Sequence, residues 1–308
     1  MNSLNFDTMG VIRSFLGNES YLPFAMLSRD CNYLSSEYPN VTRAITADTS
    51  MGFLTWAFES GLRKNVKIVK KLACLGRLDL LCFSVAVGCP WNEEVCTKAA
   101  KHNNLELLKW VRSHNCPWNK NVCTQSAKHD NLEVLKWARS QNCEWDRHVC
   151  SYAAKNGNFE LLKWARSQGC PWNEVTCAYA AHGGFLDILK WCRSKGCPWS
   201  TLTAATCANS GNLEILQWCI SNGCSWSKTV TKMSAKNGNL DVFRWSLENG
   251  CPFSKIAICF AASSNGHLNI LKYFNSYNQI GEDYLQMIKK VSCVHGFPSI
   301  NEWAKSMS

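Results

Sequence analysis

Apolar residues along this chain fall in short stripes at helical spacing. In Leu105-Glu106-Leu107-Leu108-Lys109-Trp110-Val111-Arg112, the positions Leu105, Leu107, Leu108 and Val111 form an apolar stripe, and Glu106, Lys109 and Arg112 take the other side. That is the pattern of a helix with one buried face. The stripe returns every 27 residues, together with its punctuation. Cys-Pro-Trp or a close variant starts at Cys89, Cys116, Cys143, Cys170, Cys197, Cys224 and Cys251, and a second tryptophan follows in phase at Trp110, Trp137, Trp164, Trp191, Trp218 and Trp245. The third residue after each leading cysteine is Asn92, Asn119, Asp146, Asn173, Ser200, Ser227 or Ser254. Such side chains cap helix starts by accepting from an orphan backbone N–H, so a first helix of about nine residues is predicted after each one. It passes through an alanine of fixed phase, from Ala100 to Ala262, which marks a place where two backbones come close. Only Gly, Asn or Asp stands at the next break (Gly76, Asn103, Asp130, Gly157, Gly184, Gly211, Gly238), and only Gly or Asn after the second helix (Gly61, Gly88, Asn115, Asn142, Gly169, Gly196, Gly223, Gly250). These residues tolerate the left-handed backbone that ends helices.

Each repeat therefore reads helix–turn–helix–turn. Two helices this short cannot bury an apolar face alone, whereas stacked neighbours can. Phe83 and Trp56 carry the phase backwards through 62–88 and about 35–61. Forwards, one extra residue near Ser263 and Ser264 restores the phase at Gly266 and Leu268, and Gly296 and Trp303 mark a degraded last copy. The expectation is an all-α fold, a helix-turn-helix solenoid of about ten stacked repeats with atypical outer copies. Its divisions are 1–34 outside the repeat, 35–278 the array, and 279–308 a degenerate C-terminal capping repeat.

Composition narrows the function classes. The 308 residues are 46% hydrophobic and 18% charged, enough apolar material for a core and unlike a disordered chain. No run approaches the ~18 apolar residues of a membrane helix, so membrane insertion is not expected. The first residues, Met1 to Asp7, show neither a basic nor an apolar leader, so the 19 cysteines are expected as reduced thiols in an intracellular protein, cytoplasmic or nuclear. Cysteines with six residues between them recur at Cys89/Cys96, Cys116/Cys123, Cys143/Cys150 and Cys170/Cys177, but the second column lapses to Ala204, Thr231 and Ile258. The close knuckles of a zinc site are absent. Packing as small buried hydrophobes is favoured over metal binding or redox sensing. The histidines share no spacing with a nucleophile, and no phosphate-cradling glycine loop or H-E-x-x-H segment occurs. No catalytic residue, cofactor or metal is expected, and the chain reads as non-enzymatic.

The net charge of +10 is organised in columns. Lys109, Lys136, Lys163 and Lys190, with Arg112, Arg139, Arg166 and Arg193, would align into a basic stripe on stacked repeats. Such a stripe can attract nucleic acid or an anionic surface. An acidic column (Glu106, Glu133, Glu160, Asp187) precedes the lysines by three residues and would pair with them. An ion-paired outer face is favoured, and nucleic acid is the less favoured partner. The tryptophan columns are read as wedges between neighbouring repeats rather than as platforms for bases.

Ala153-Ala154-Lys155-Asn156-Gly157-Asn158-Phe159-Glu160-Leu161-Leu162-Lys163 resembles the A-A-x-x-G-H-L-E-V-V-x core of an ankyrin repeat, and Gly169-Cys170-Pro171-Trp172-Asn173 resembles its G-A-D-V-N end. The period of 27 is shorter than the ankyrin period of about 33. The missing residues come from the hairpin finger and the start of the first helix. The resemblance implies a protein-binding scaffold or adaptor whose first helices line a concave surface. Positions fixed from repeat to repeat serve the fold, so specificity is expected where first helices vary, at Glu94, Lys98, Asn121, Gln125, Arg147, His148, Tyr152 and Tyr179. The expected site for a protein partner centres on Arg147, Tyr152 and Tyr179, because Tyr and Arg suit interface anchoring. Ahead of the array, residues 11–17 and 21–29 suggest short helices, and Ala25-Met26-Leu27-Ser28-Arg29-Asp30-Cys31-Asn32 resembles one helix of an F-box, although the usual leading Leu-Pro is absent. That likeness implies an alternative, a substrate receptor of a ubiquitin ligase in which residues 8–34 dock a Skp1-type adaptor. Otherwise residues 1–34 are an N-terminal helical cap.

Overall fold

The computed structural model describes residues 45–307, so the cap or F-box-like segment expected at 1–34 lies outside the described residues. Among the described residues the chain forms nineteen α-helices and no strand. The described residues divide into two compact units, 45–144 and 145–307. In the first unit, α1 (Met51–Glu59) precedes three pairs: α2 (Val66–Leu75) with α3 (Leu78–Ala86), α4 (Glu93–Lys101) with α5 (Leu105–Ser113), and α6 (Asn121–Lys128) with α7 (Leu132–Ser140). The second unit stacks α8 (His148–Asn156) with α9 (Phe159–Ser167), α10 (Glu174–Gly183) with α11 (Leu186–Ser194), and α12 (Thr201–Ser210) with α13 (Leu213–Ser221). It continues with α14 (Lys228–Asn237) and α15 (Leu240–Glu248), α16 (Lys255–Ser264) and α17 (Leu268–Tyr277), then α18 (Glu282–Val294) and α19 (Pro298–Ser306). Each unit is a stack of helix pairs, as the 27-residue period predicts.

The punctuation explains the boundaries. Asn92, Asn173, Ser200 and Ser227 accept from the backbone N–H two residues on, at the starts of α4, α10, α12 and α14. Asn119 and Asp146 do the same for Asn121 and His148. Ser254 departs from the pattern and makes no side-chain cap bond. Both helix ends close through a left-handed residue, as at Asn142 (φ 61°) and Gly169 (φ 77°). The next N–H then returns to the carbonyl five residues earlier: Asn158 to Ala153 at 3.0 Å and Cys170 to Ala165 at 2.9 Å. This satisfies carbonyls that the helix itself leaves orphaned.

Within the second unit the first helices form the closely packed layer, and second helices meet more sparsely. Small residues permit this: Ala153, Ala154, Ala180, Ala181, Ala204 and Ala208 are fully buried. Three kinds of side-chain bond then tie repeats to their neighbours, the asparagine giving way to Phe185 and His267 and the arginine to Ile220 and Leu247 in some repeats. The leading thiol donates to the carbonyl of the preceding capping residue, Cys197 to Asn173 at 3.4 Å and Cys224 to Ser200 at 3.5 Å. An asparagine at the start of the second helix donates to the last carbonyls of the preceding first helix, Asn212 to Ala181 at 2.9 Å and Asn239 to Ala208 at 2.8 Å. The arginine column supplies the third. Arg193 on α11 lies 4.2 Å over the ring of Trp199, and its Nη1 donates to the Cys197 carbonyl. Arg166 does the same 4.1 Å over Trp172, with Cys170 as acceptor.

The tryptophans pack between repeats and also pair within each one. The loop and helix tryptophans of one repeat meet edge to face, Trp172 with Trp191 at 5.8 Å and Trp199 with Trp218 at 5.8 Å. They remain half-buried, and contacts to the neighbouring repeat run through both indole and arginine: Trp191 meets the Phe159 ring of the preceding repeat edge to face at 5.4 Å, and Arg193 covers Trp199 of the following one. An edge-to-face pair places the positive ring edge on the partner's negative face, and the guanidinium takes up a second face.

Candidate partner-binding surface

The buried positions of a first helix are few and fixed. On α8 they are Val149, Cys150, Ser151, Ala153 and Ala154. The side facing away from them carries the residues that vary. In the first unit Glu94 is exposed and ion-paired with Lys70, and the hydrogen bond from that ammonium holds the Glu94 carboxyl below the ordinary carboxylate value. Lys98 and Gln125 are half-buried, and Asn121 is exposed. In the second unit Arg147 and His148 are exposed at the start of α8, with His148 Nδ1 2.9 Å from Asp146 Oδ1. Tyr152 and Tyr179 meet across α8 and α10 with ring centroids 6.0 Å apart, and Lys155 Nζ stands 5.4 Å from the Tyr179 ring. Tyr152 and Tyr179 are half-buried. The structure thus brings Tyr152 and Lys155 of α8 and Tyr179 of α10 into one patch, with Arg147 and His148 at the start of α8.

The basic stripe residues have local partners. Lys109 Nζ is 3.0 Å from Glu106 Oε1 and Lys136 Nζ is 3.6 Å from Glu133 Oε1. Lys163 Nζ lies 3.9 Å over the Phe159 ring, and Lys190 is exposed. Arg112 stacks 4.3 Å over Trp118, and its Nη1, like that of Arg139, donates to the carbonyl of the next leading cysteine. These arginines are half-buried against the loops they hold.

Among the described residues the cysteines are free thiols, most of them buried. Burial pushes the Cys251 thiol up to about 11 and the Cys259 thiol up to about 12. Among the described residues no three His, Cys, Asp or Glu side chains stand together as metal ligands, and no helix is long and apolar enough to cross a membrane.

Sequence reasoning passed over two features. One is the asparagine column at Asn104, Asn131, Asn212 and Asn239, which bonds backward to the preceding repeat. The other is a set of apolar side chains outside the core, Leu202, Ile256 and Phe260, which are 43%, 58% and 50% exposed. Their phase in the 27-residue period matches that of His148 and Tyr152, and that phase was the available signal.

No protein-family model and no curated protein matches the chain. Among solved structures, the chain is similar to the human ASB11 ankyrin repeat domain, at 12% identity over 51% of this chain and 84% of that one, with a TM-score of 0.41.

Proposed function

We propose that the chain is a non-enzymatic protein-interaction scaffold, an adaptor of short ankyrin-like repeats that holds a protein partner on the outward side of its first helices. One observation carries the reading. The positions that recur in most repeats are consumed by caps, thiol bonds, asparagine bonds and arginine–tryptophan stacks, while the outward first-helix positions vary more widely and stay accessible. Tyr152 and Tyr179, with Arg147 immediately before the helix that carries Tyr152, supply the residue types that anchor interfaces. The motif resemblance of residues 153–173 to ankyrin repeats supports the same reading.

The test is affinity capture with the full chain and with a variant carrying Arg147→Ala, Tyr152→Ala and Tyr179→Ala. Loss of the captured proteins, with thermal unfolding nearly unchanged, is the expected outcome. Undiminished capture by the variant sinks this placement. The ubiquitin-ligase receptor alternative rests on residues 8–34, outside the described residues, and requires that a Skp1-type protein be captured by the full chain and lost from residues 35–308.

A further inference from the structure

The outward side of the first helices changes character along the second unit. By phase, positions 148, 175, 202, 229 and 256 form one column, and 152, 179, 206, 233 and 260 form another one helical turn on. Equivalent positions on successive first helices do meet. The Tyr152 and Tyr179 rings are 6.0 Å apart, and one residue out of register Asn237 Nδ2 on α14 donates to Asn209 Oδ1 on α12 at 3.1 Å. On α12, α14 and α16 the two columns hold Leu202, Met233, Ile256 and Phe260, interrupted only by Thr206 and Thr229. Three of the four are among the most exposed large apolar side chains of the described residues. Exposed apolar side chains clustered on adjacent helices mark an interaction site, whereas a lone surface leucine does not; here Met233 is half-buried between the more exposed Leu202, Ile256 and Phe260.

The polar frame of this strip has one sign. Lys228, Lys232 and Lys236 on α14 are exposed and make no ion pair among the described residues. Lys255 on α16 is half-buried and reaches the Gln279 carbonyl at 3.5 Å. Between Glu174 and Glu282 no first helix carries an acidic side chain. The second helices, by contrast, place an acid three residues before a base in most repeats. An apolar line inside an uncompensated lysine frame complements a ligand that is apolar along one side and acidic along its edges.

We infer that α12, α14 and α16 bind an acidic amphipathic segment of a partner protein. Its apolar side lies on Leu202, Met233, Ile256 and Phe260, and its carboxylates lie against Lys228, Lys232, Lys236 and Lys255. This deepens and rests on the scaffold reading, and adds to the tyrosine patch a second anchor of defined chemistry. Helices packed 8–10 Å apart make a strip about 20 Å long across three of them, which about 13 residues of bound helix would span. A nucleic acid suits it less, because Leu202, Met233 and Ile256 offer no ring on which bases stack. A lipid surface suits it less, because the apolar residues form a narrow line across three helices, not one continuous helix face.

The test uses the full chain and a fluorescent synthetic peptide of about 16 residues, with Leu and Phe at i, i+3 and i+4 and Asp and Glu elsewhere. Saturable binding that weakens with added salt is expected. Ile256→Asp with Phe260→Asp should weaken it about tenfold or more, and Lys232→Glu with Lys236→Glu should weaken it severalfold and flatten its salt dependence. A matched peptide with Lys in place of the acids should not bind. The lysine variant leaves the apolar residues in place, so it decides the question even if the aspartate pair lowers the thermal transition. Absent binding, equal binding of the lysine peptide, or insensitivity to both variants overturns the proposal. So does tighter binding of a single-stranded oligonucleotide or of phosphatidylserine vesicles than of the acidic peptide. Failure of the scaffold placement is separable. If the Arg147, Tyr152 and Tyr179 alanine variant loses captured proteins while the acidic peptide does not bind, only this inference falls. If that variant captures normally while the peptide binds as described, the tyrosine placement falls and this one stands.

Discussion

Replacing Arg193 by alanine separates an arginine that holds a loop from one that awaits a ligand. Its guanidinium donates to the Cys197 carbonyl and lies 4.2 Å over Trp199, so it joins α11 to the start of the following repeat. A hydrogen bond from a charged donor contributes about 1.5–3 kcal/mol, and a cation over an indole about 0.5–1 kcal/mol where partly exposed. Arg193 is half-buried, which favours the lower ends, so a loss of about 2 kcal/mol is expected. Arg193→Lys should recover less than half, because an ammonium cannot stack flat on the ring while bonding the carbonyl. Lys190→Ala on the same helix, at an exposed position, should stay within about 0.5 kcal/mol of the parent. The assay is guanidinium unfolding followed by tryptophan emission, comparing midpoints and slopes. The broken contact is an interface between repeats, so a reduced slope from partial unfolding would also report it. If Arg193→Ala and Lys190→Ala both leave the curve unchanged, the arginine column is surface charge. The basic stripe would then be free for an anionic partner.

Two further expectations concern packing and pH. A Cβ at Gly183 would sit 2.5 Å from the Phe185 ring and 2.7 Å from the Lys155 carbonyl, so Gly183→Ala should lower the thermal transition, and adding Phe185→Asn should relieve the ring clash but not the backbone one. The Cys251 and Cys259 thiols, held by burial at about 11 and about 12 against an ordinary 9.0, keep their protons in the folded chain at pH values where the unfolded chain loses them. Their contribution is complete below about pH 9 and declines as pH rises through the folded values, so urea midpoints should hold up to about pH 9 and fall between about pH 9 and 12, and an unchanged midpoint over that range would contradict the burial of these thiols.

The parts of this molecule legible in its sequence are those whose cause is local. A helix cap such as Asn173 bonds two residues on, and a left-handed Gly169 ends the helix it follows, so both announce themselves in adjacent letters. The asparagine column repeats just as plainly, yet Asn239 bonds a carbonyl 31 residues back, a partner that no window of one helix contains. Arg193 was visible as a charge, but the ring that it covers belongs to the loop beginning the next repeat. On the candidate surface, Tyr152 and Tyr179 drew attention because they are polar-tipped and variable, and the structure sets them side by side. Leu202 and Ile256 did not, because an apolar residue in an amphipathic helix reads as core until its exposure is known.

The distribution of these bonds bears on how such a chain acquires a binding site. Cohesion between repeats runs through the loop thiol, the asparagine before the second helix and the arginine at its end, none of which lies on the outward side of a first helix. That side can therefore change without loosening the stack. One column carries Glu94 and Asn121 in the first unit and His148, Val175, Leu202, Thr229 and Ile256 in the second, with the helix beneath kept each time. Exchanging Leu202 or Ile256 for asparagine should accordingly leave stability within about 0.5 kcal/mol, which is the condition under which an apolar, lysine-framed strip persists for a reason other than folding. A larger loss would mean that these side chains pack in the fold after all, and the strip would need no partner to account for it.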